Sequence, residues 1–162
     1  MVSKEELKEI VMLNYLRDEM LDKVIPLVDI LAFDEREAVF RQGGRADRFY
    51  MLRKGKILLE KRLSDKVTLS LGAVKAGYSM GWSAILDGGF YTSDAVCAEP
   101  CQIFSIRRDR FTRLLENNHE IGYILSQRLL RVIKSRLDQR TVQFLKAIQN
   151  HPDLQPLFEV QP

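Results

Sequence analysis

The sequence predicts a mainly β domain with helices at both of its ends. Short runs of alternating apolar and polar residues fill residues 28–106, and turn residues separate these runs. Helical periodicity precedes and follows that stretch. Many short strands at regular spacing favour an antiparallel sandwich or barrel, and the helices would cover sheet edges that otherwise pair with other chains.

The first segment, residues 3–26, has the apolar spacing of an α-helix. Ser3 and Glu6 stand in the arrangement of a capping box, in which each side chain accepts a hydrogen bond from the other residue's backbone. A second short helix is expected over residues 18–25, and Pro26 would end it. Leu7, Ile10 and Val11 stand at helical spacing, and either Leu13 or Asn14 continues this spacing.

Strand-like runs follow, rich in β-branched, aromatic or alternating apolar residues. They are DILAF (29–33), AVFRQ (38–42), RFYML (48–52), KILLEKRL (56–63), VTLSLGAV (67–74), AVCA (95–98) and CQIFSI (101–106). Turn residues punctuate them at Gly43-Gly44, Lys54-Gly55, Asp65-Lys66 and Asp87-Gly88-Gly89.

Helical periodicity returns at about residue 109 and persists to about 148. A short apolar face at Phe111 and Leu114 is interrupted near ENNHE (116–120). Residues 121–148 then predict one long helix of about seven turns. We therefore expect a single domain over residues 1–148, with N-terminal helices in 1–26, sheets in 27–107 and C-terminal helices in 108–148. The proline-rich tail, 149–162, is expected to lie along the surface or to be disordered.

The composition excludes several classes of protein. The 25 basic residues are nearly balanced by 22 acidic ones, and a net charge of +3 does not by itself indicate nucleic-acid binding. The charged N-terminus lacks the apolar region of a signal peptide. No apolar run approaches the length of a membrane span, about 18 residues. We expect a cytoplasmic protein with no membrane partner.

No arrangement of residues indicates catalysis or a metal centre, so we expect neither an enzyme nor a bound metal. His119 and His151 are far apart and have no spaced Cys or carboxylate partner. Cys97 and Cys101 flank a tight turn and allow two interpretations, a thiol sensor or two structural residues in adjacent strands. The sequence near them has no Lys or Arg to lower a thiol pKa.

Three stretches carry a resemblance to a known family: VFRQGGRADRFYMLRKGKILLEKRL (39–63), GYSMGWSAIL (77–86) and DAVCAEPCQIFSI (94–106). Together they resemble the cyclic-nucleotide-binding domains, in particular the sensor domain of bacterial regulators of the catabolite activator type. The resemblance covers residues 25–137 and implies a double-stranded β-helix, that is, a jelly roll or β-roll. It also implies a long C-terminal helix through which two copies dimerise. The chain stops before the DNA-binding winged helix of such regulators would fit, so direct DNA binding is not expected.

The resemblance places a phosphate-binding cassette at GYSMGWSAILDGGFYTSDAV (77–96). In family members that bind cyclic AMP or cyclic GMP, a Glu accepts from the ribose hydroxyl and an Arg pairs with the cyclic phosphate. Here Gly81 fits the cassette glycine, but Trp82 stands at the Glu position and Thr92 at the Arg position. Nothing from residue 76 to 106 is basic. The candidate ligand-binding residues are Gly81, Trp82, Ser83, Ala84, Tyr91, Thr92 and Ser93.

Losing these two side chains argues against cyclic nucleotide binding in the usual mode, and Asp87 and Asp94 would add repulsion. Three alternatives stay open: Trp82 and Tyr91 pack the pocket shut, a different small ligand binds, or a cyclic nucleotide is held in an unusual way. In the last case Arg128 and Arg131 of the long helix would supply the missing cations.

The long helix carries an apolar stripe that suits a two-helix seam between copies of the chain. Its members are Leu130, Ile133, Leu137 and Phe144. The basic residues of the same helix fit a solvated face or an acidic partner surface. The sequence therefore predicts a non-catalytic regulatory sensor and a homodimer, with a regulatory protein as a further partner. A genuine cyclic-nucleotide receptor and a dimeric scaffold with a closed pocket are the alternatives.

Overall fold

Two antiparallel four-stranded sheets and flanking helices make up the fold in a computed structural model, which describes residues 2–86, 89–155 and 158. The strands are β1 Val28–Phe33, β2 Ala38–Phe40, β3 Arg48–Lys54, β4 Lys56–Arg62, β5 Thr68–Lys75, β6 Ser79–Met80, β7 Asp94–Cys97 and β8 Cys101–Arg107. The helices are α1 Lys4–Lys8, α2 Asp18–Val24, α3 Ser83–Leu86, α4 Arg108–Asn117 and α5 His119–Gln149, with a 3-10 turn at Ile25–Leu27.

The strands are ordered β1-β8-β3-β6 in the first sheet and β2-β7-β4-β5 in the second. Strands that are neighbours in space are therefore often distant in sequence, as in a roll wound from hairpins. Alternate residues of each strand face the interior: Tyr50 and Leu52 on β3 belong to the core between the sheets, as do Ala95 and Cys97 on β7. The predicted mainly β roll with flanking helices and a long C-terminal helix is confirmed.

The short strand β6 was not predicted, because Ser79 and Met80 lie between glycines in a stretch interpreted as a loop. Tyr50 pairs with Met80 and Met51 with Ser79. Both β6 residues are buried, so the pairing satisfies backbone groups that would otherwise be buried without partners.

The first helix is shorter than its apolar spacing predicts. The capping box is present, with Glu6 N donating to Ser3 Oγ at 3.2 Å and Ser3 N donating to Glu6 Oε2 at 3.0 Å. The helix ends at Lys8, and turns follow, in which Val11 N donates to Gly77 O at 2.9 Å. Because Val11 N–H donates to Gly77 O, it does not make the backbone hydrogen bond that would continue the helix. The apolar spacing correctly marks Leu7, Ile10 and Leu13, which are at most 1% exposed, but it is wrong for Val11, which is 36% exposed. Asn14 is exposed as well.

The C-terminal helices follow the predicted order, and α5 is slightly longer than the predicted 121–148. In α4, Phe111 is buried and its ring stacks on that of Phe49 at a centroid distance of 5.5 Å. The chain divides into two compact units within α5, Met1–Leu125 and Ser126–Pro162. Among the described helices, none is long and apolar enough to cross a membrane.

Some predicted features fall outside the described residues. Residues 156, 157 and 159–162 of the predicted tail are in this group, and so are Asp87 and Gly88 of the predicted turn. The described part of the tail, residues 150–155, forms turns after α5 ends.

Gly55 offers a test of this packing. Its φ of +98° suits glycine, and an added Cβ would lie 2.6 Å from Cys101 Sγ and 2.8 Å from Pro100 O. We expect G55A to lower the free energy of unfolding by about 2–4 kcal/mol, through backbone strain and overpacking together. Urea titration would measure this loss.

The matched control is G43A. Gly43 has φ +80° with nothing within 4 Å of an added Cβ, so only the backbone cost of about 1–2 kcal/mol applies. Equal losses in the two variants would contradict the packing role of Gly55.

Candidate ligand-binding site

The cassette occupies the connection between β6 and β7 and begins at Gly81. This residue has φ +75°, and an added Cβ would lie 3.1 Å from both Arg48 O and Tyr50 Cδ2. Ala84 N donates to Gly81 O at 3.1 Å, which starts the single turn of α3. A glycine is therefore required here both for its conformation and for the close approach of β3.

An aromatic cluster of Phe40, Tyr50 and Tyr91 fills the interior beside this glycine. The rings of Phe40 and Tyr91 stack at 4.1 Å, and those of Phe40 and Tyr50 at 5.7 Å. Tyr91 is 5% exposed, and its Cε1 would lie 3.5 Å from a Cβ added to Gly81. Ala84, also fully buried, belongs to the same core. The structure thus brings Gly81, Ala84 and Tyr91 together.

Hydrogen bonds hold Tyr91 in this position. Its hydroxyl donates to Arg48 O at 2.7 Å and accepts from Arg48 N at 3.2 Å. Its backbone exchanges bonds with the loop after β2, since Gly43 N donates to Tyr91 O and Tyr91 N to Gly44 O, each at 2.9 Å. Burial raises the pKa of the Tyr91 phenol, so the neutral hydroxyl is the form present at physiological pH.

Trp82 lies in a different environment from Tyr91. Its ring packs on Phe49 at 4.8 Å, and Phe49 stacks in turn on Phe111 of α4. Phe49 alternates with Tyr50 along β3, so these two neighbours face opposite sides of the sheet. The indole N–H of Trp82 is buried and has no hydrogen-bond partner among the described residues.

The remaining cassette candidates differ in exposure. Ser83 is half-buried, Thr92 is exposed and Ser93 is buried. Thr92, at the position of the family arginine, therefore presents a neutral and accessible side chain.

Sequence reasoning missed the role of Asp94, which was expected to repel an anion. Its carboxylate accepts from Gln42 N at 2.6 Å and from Arg41 Nη1 at 3.0 Å. Burial acts to raise the pKa of Asp94, but these two donors outweigh it and the net shift of the pKa is downward. The negative charge of Asp94 is thus already compensated within the protein. Arg41 lies far from Asp94 in the chain, so no local motif indicated the pair.

Arg48, the other arginine in contact with the cassette, also has partners. Its Nη1 donates to Asp29 Oδ2 at 2.9 Å and to Ser105 Oγ at 2.6 Å. A ligand anion that used this cation would compete with Asp29 of the protein itself.

The suggested substitute cations belong to the second compact unit. Arg128 is half-buried and Arg131 is exposed, one turn apart on α5. Partial burial and then the like charge of Arg131 lower the pKa of Arg128. An anion near these two guanidinium groups would relieve that repulsion.

The two thiols are buried. Cys101 Sγ donates to Glu99 O at 3.1 Å. Burial, and after it the neighbouring Cys101, raises the pKa of Cys97 to about 12. A thiol with so high a pKa stays protonated and reacts slowly with oxidants, which favours the structural interpretation. Within the described residues, His119 and His151 included, no group of three or more side chains could hold a metal ion.

The model of the cyclic nucleotide-binding domain family matches residues 30–118, more than half of the chain. The chain belongs to this family. The match spans β1 to the end of α4 and therefore includes the whole cassette.

Solved structures share the fold at low identity. A protein of Geobacter metallireducens is 24% identical with a TM-score of 0.74, over 85% of this chain and 99% of that one. A cyclic nucleotide-binding domain of Methylobacillus flagellatus is 20% identical with a TM-score of 0.80, over 91% and 85%. The catabolite activator protein of Thermus thermophilus is 18% identical with a TM-score of 0.72, over 86% and 64%.

The Asp94 pair predicts a dependence of stability on pH. Because folding lowers the pKa of Asp94 below 3.8, the stabilisation is fully present above that pH and is lost as the pH falls through the folded pKa. We expect D94N to lower the free energy of unfolding by about 1–3 kcal/mol at pH 7. Urea titration of both proteins at pH 7 and pH 3 should show this difference shrinking at the lower pH.

The control is D65N, because Asp65 is an exposed residue of the β4–β5 hairpin. It should change stability by less than about 0.5 kcal/mol at either pH. A D94N deficit of the same size at both pH values would contradict the assignment.

Proposed function

We propose that this protein is a non-catalytic regulatory ligand-sensing domain that does not hold cyclic AMP or cyclic GMP in the family's usual mode. The observation that carries the proposal is Tyr91, which fills the interior beside Gly81 and is hydrogen-bonded to the backbone of β3. A ligand in that space would have to displace a buried ring and leave Arg48 O without its phenol donor. Each lost bond of this kind costs about 0.5–1.5 kcal/mol.

The charges around the cassette support the same conclusion. Trp82 and Thr92 replace the charged pair by which the family recognises ribose and phosphate. Arg41 and Arg48 are already paired with Asp94 and Asp29. Losing one charge-assisted contact typically costs about 1.5–3 kcal/mol, and the family's Glu and Arg each supply one. The expected loss of affinity is therefore at least about a hundredfold.

The alternative, a genuine cyclic-nucleotide receptor that uses cations of α5, rests on the neighbouring Arg128 and Arg131. It predicts binding that disappears when both cations are removed. A dimeric scaffold with a closed pocket predicts no ligand at all.

Calorimetric titration of the purified protein, freed of nucleotide by unfolding and refolding, separates these possibilities. We expect no heat from cyclic AMP or cyclic GMP at millimolar concentration. We also expect no rise in melting temperature, which any ligand that binds the native state would cause. The variant R128A/R131A is titrated in parallel.

Micromolar binding by the wild-type chain would overturn the proposal. Loss of this binding in R128A/R131A would establish the alternative receptor. Binding that persists in R128A/R131A would mean that other groups hold the phosphate. If neither cyclic nucleotide binds, native mass spectrometry for co-purified small molecules decides between a different ligand and the scaffold.

We further propose that the protein forms a homodimer through α5. The stripe Leu130, Ile133, Leu137 and Phe144 is 40–64% exposed, and such spacing places the side chains along one side of a helix. The expected occupant is the same stripe of a second copy, because a two-fold pair of identical stripes is self-complementary.

Replacing Leu137 should weaken this dimer. L137E places a charge in the seam, and we expect the dissociation constant to rise at least about tenfold, a loss of about 1.4 kcal/mol or more. Analytical ultracentrifugation over a range of concentrations measures it. Q139E makes the same change of charge two residues away, off the stripe, and should leave the constant nearly unchanged. A dimer that survives L137E intact would place the interface elsewhere.

A further inference from the structure

A second feature of the molecule lies on α4, away from the cassette interior, and its function does not depend on what the cassette holds. Two grooves run beside this helix within the first compact unit, with volumes of about 590 Å³ and about 400 Å³. Arg113 lines both of them, so the two grooves flank this residue on neighbouring sides of the helix. The cations of the two linings are Lys23, Arg45, Arg107, Arg108, Arg110 and Arg113.

Among the described residues, three of these cations have no anion as a partner. Within the described part of the chain, the side chains of Arg45, Arg110 and Arg113 make neither a hydrogen bond nor an ion pair, and all three residues are exposed. Other arginines of the same unit are paired: Arg107 with Asp109 at 3.1 Å and Arg17 with Glu120 at 2.7 Å. The two grooves thus bring together, around one helix, three arginines that have no partner among the described residues.

The backbone fixes these cations relative to one another. Arg108 N donates to Asp47 O at 2.8 Å, which ties the loop that carries Arg45 to the start of α4. Phe111 anchors the helix on Phe49. Because loop and helix are held together, the backbone positions that carry the three arginines are fixed relative to one another.

The carboxylates of the grooves define the chemistry of the ligand. The larger groove also contains Asp47, Asp109 and Glu116, whereas the smaller one has no carboxylate in its lining. A nucleic-acid backbone carries a charge at every phosphate and would meet these carboxylates at close range. A protein segment can place its acidic residues opposite the arginines and neutral residues opposite the carboxylates.

We propose that the two grooves along α4 bind an acidic, extended segment of another protein, with Arg45, Arg110 and Arg113 as the recognition cations. Guanidinium groups bind carboxylates through two parallel hydrogen bonds, so Glu and Asp side chains fit these positions.

The test uses fluorescence anisotropy with a labelled peptide of about eight residues, rich in Glu and Asp and interrupted by Leu, and the same peptide with Gln and Asn instead. We expect the acidic peptide to bind at low ionic strength, to weaken as salt is added, and to outbind its neutral counterpart. The variant R45E/R110E/R113E should lose at least about tenfold in affinity, as expected for three exposed charge pairs.

The matched control is K61E/K66E/K75E on the β4–β5 hairpin, which changes the net charge by the same amount at exposed lysines. It should retain binding within about threefold. Circular dichroism melts establish that both variants are folded.

The outcomes are decisive in each direction. Peptide binding that is lost only in the α4 variant supports the proposal. Equal loss in both variants, or no binding by the wild-type chain, would overturn it. A single-stranded oligonucleotide of equal charge that binds α4 more tightly than the peptide would instead indicate a nucleic-acid surface. Displacement of the peptide by millimolar inorganic phosphate would indicate a site for a small phosphorylated molecule.

Discussion

The phenol of Tyr91 joins three parts of the roll that are distant in the sequence. Its hydroxyl donates to and accepts from the backbone of Arg48 on β3, its ring stacks on Phe40 of β2, and its own backbone pairs with Gly43 and Gly44. Because the partners of the hydroxyl are backbone groups, substitution of the Arg48 side chain leaves those atoms in place. The end of the cassette is thus fixed to both sheets, and the aromatic packing beside Gly81 follows from this attachment.

Ion pairs within the protein neutralise the arginines beside the cassette. Around the cassette, Arg41 and Arg48 are neutralised by Asp94 and Asp29, so the protein itself supplies the anions there. An external phosphate would gain little from cations that it must share with protein carboxylates. On α4, Arg110 and Arg113 are exposed and have no such partner among the described residues. The arginines beside the cassette are therefore already compensated, whereas Arg110 and Arg113 are not.

The sequence allowed the fold to be predicted well because its signals are local. Alternation, glycine turns and helical spacing located seven of the eight described strands and the order of the helices. Gly55 and Gly81 stand where the backbone has positive φ. The site was harder to predict, because its arrangement depends on contacts between distant residues. Neither the Arg41–Asp94 pair nor the opposite orientations of Trp82 and Tyr91 leaves a local pattern, and the two-residue strand β6 is too short to show alternation.

Trp82 connects the cassette with the surface on α4 through packed rings. It contacts Phe49, and Phe49 stacks on Phe111 of the helix that carries Arg110 and Arg113. Its indole N–H has no partner among the described residues. Because Phe49 contacts both Trp82 and Phe111 and such interiors are close-packed, the cassette and α4 depend on the same ring for their packing. A change in the size of residue 82 would therefore disturb the contact that anchors α4.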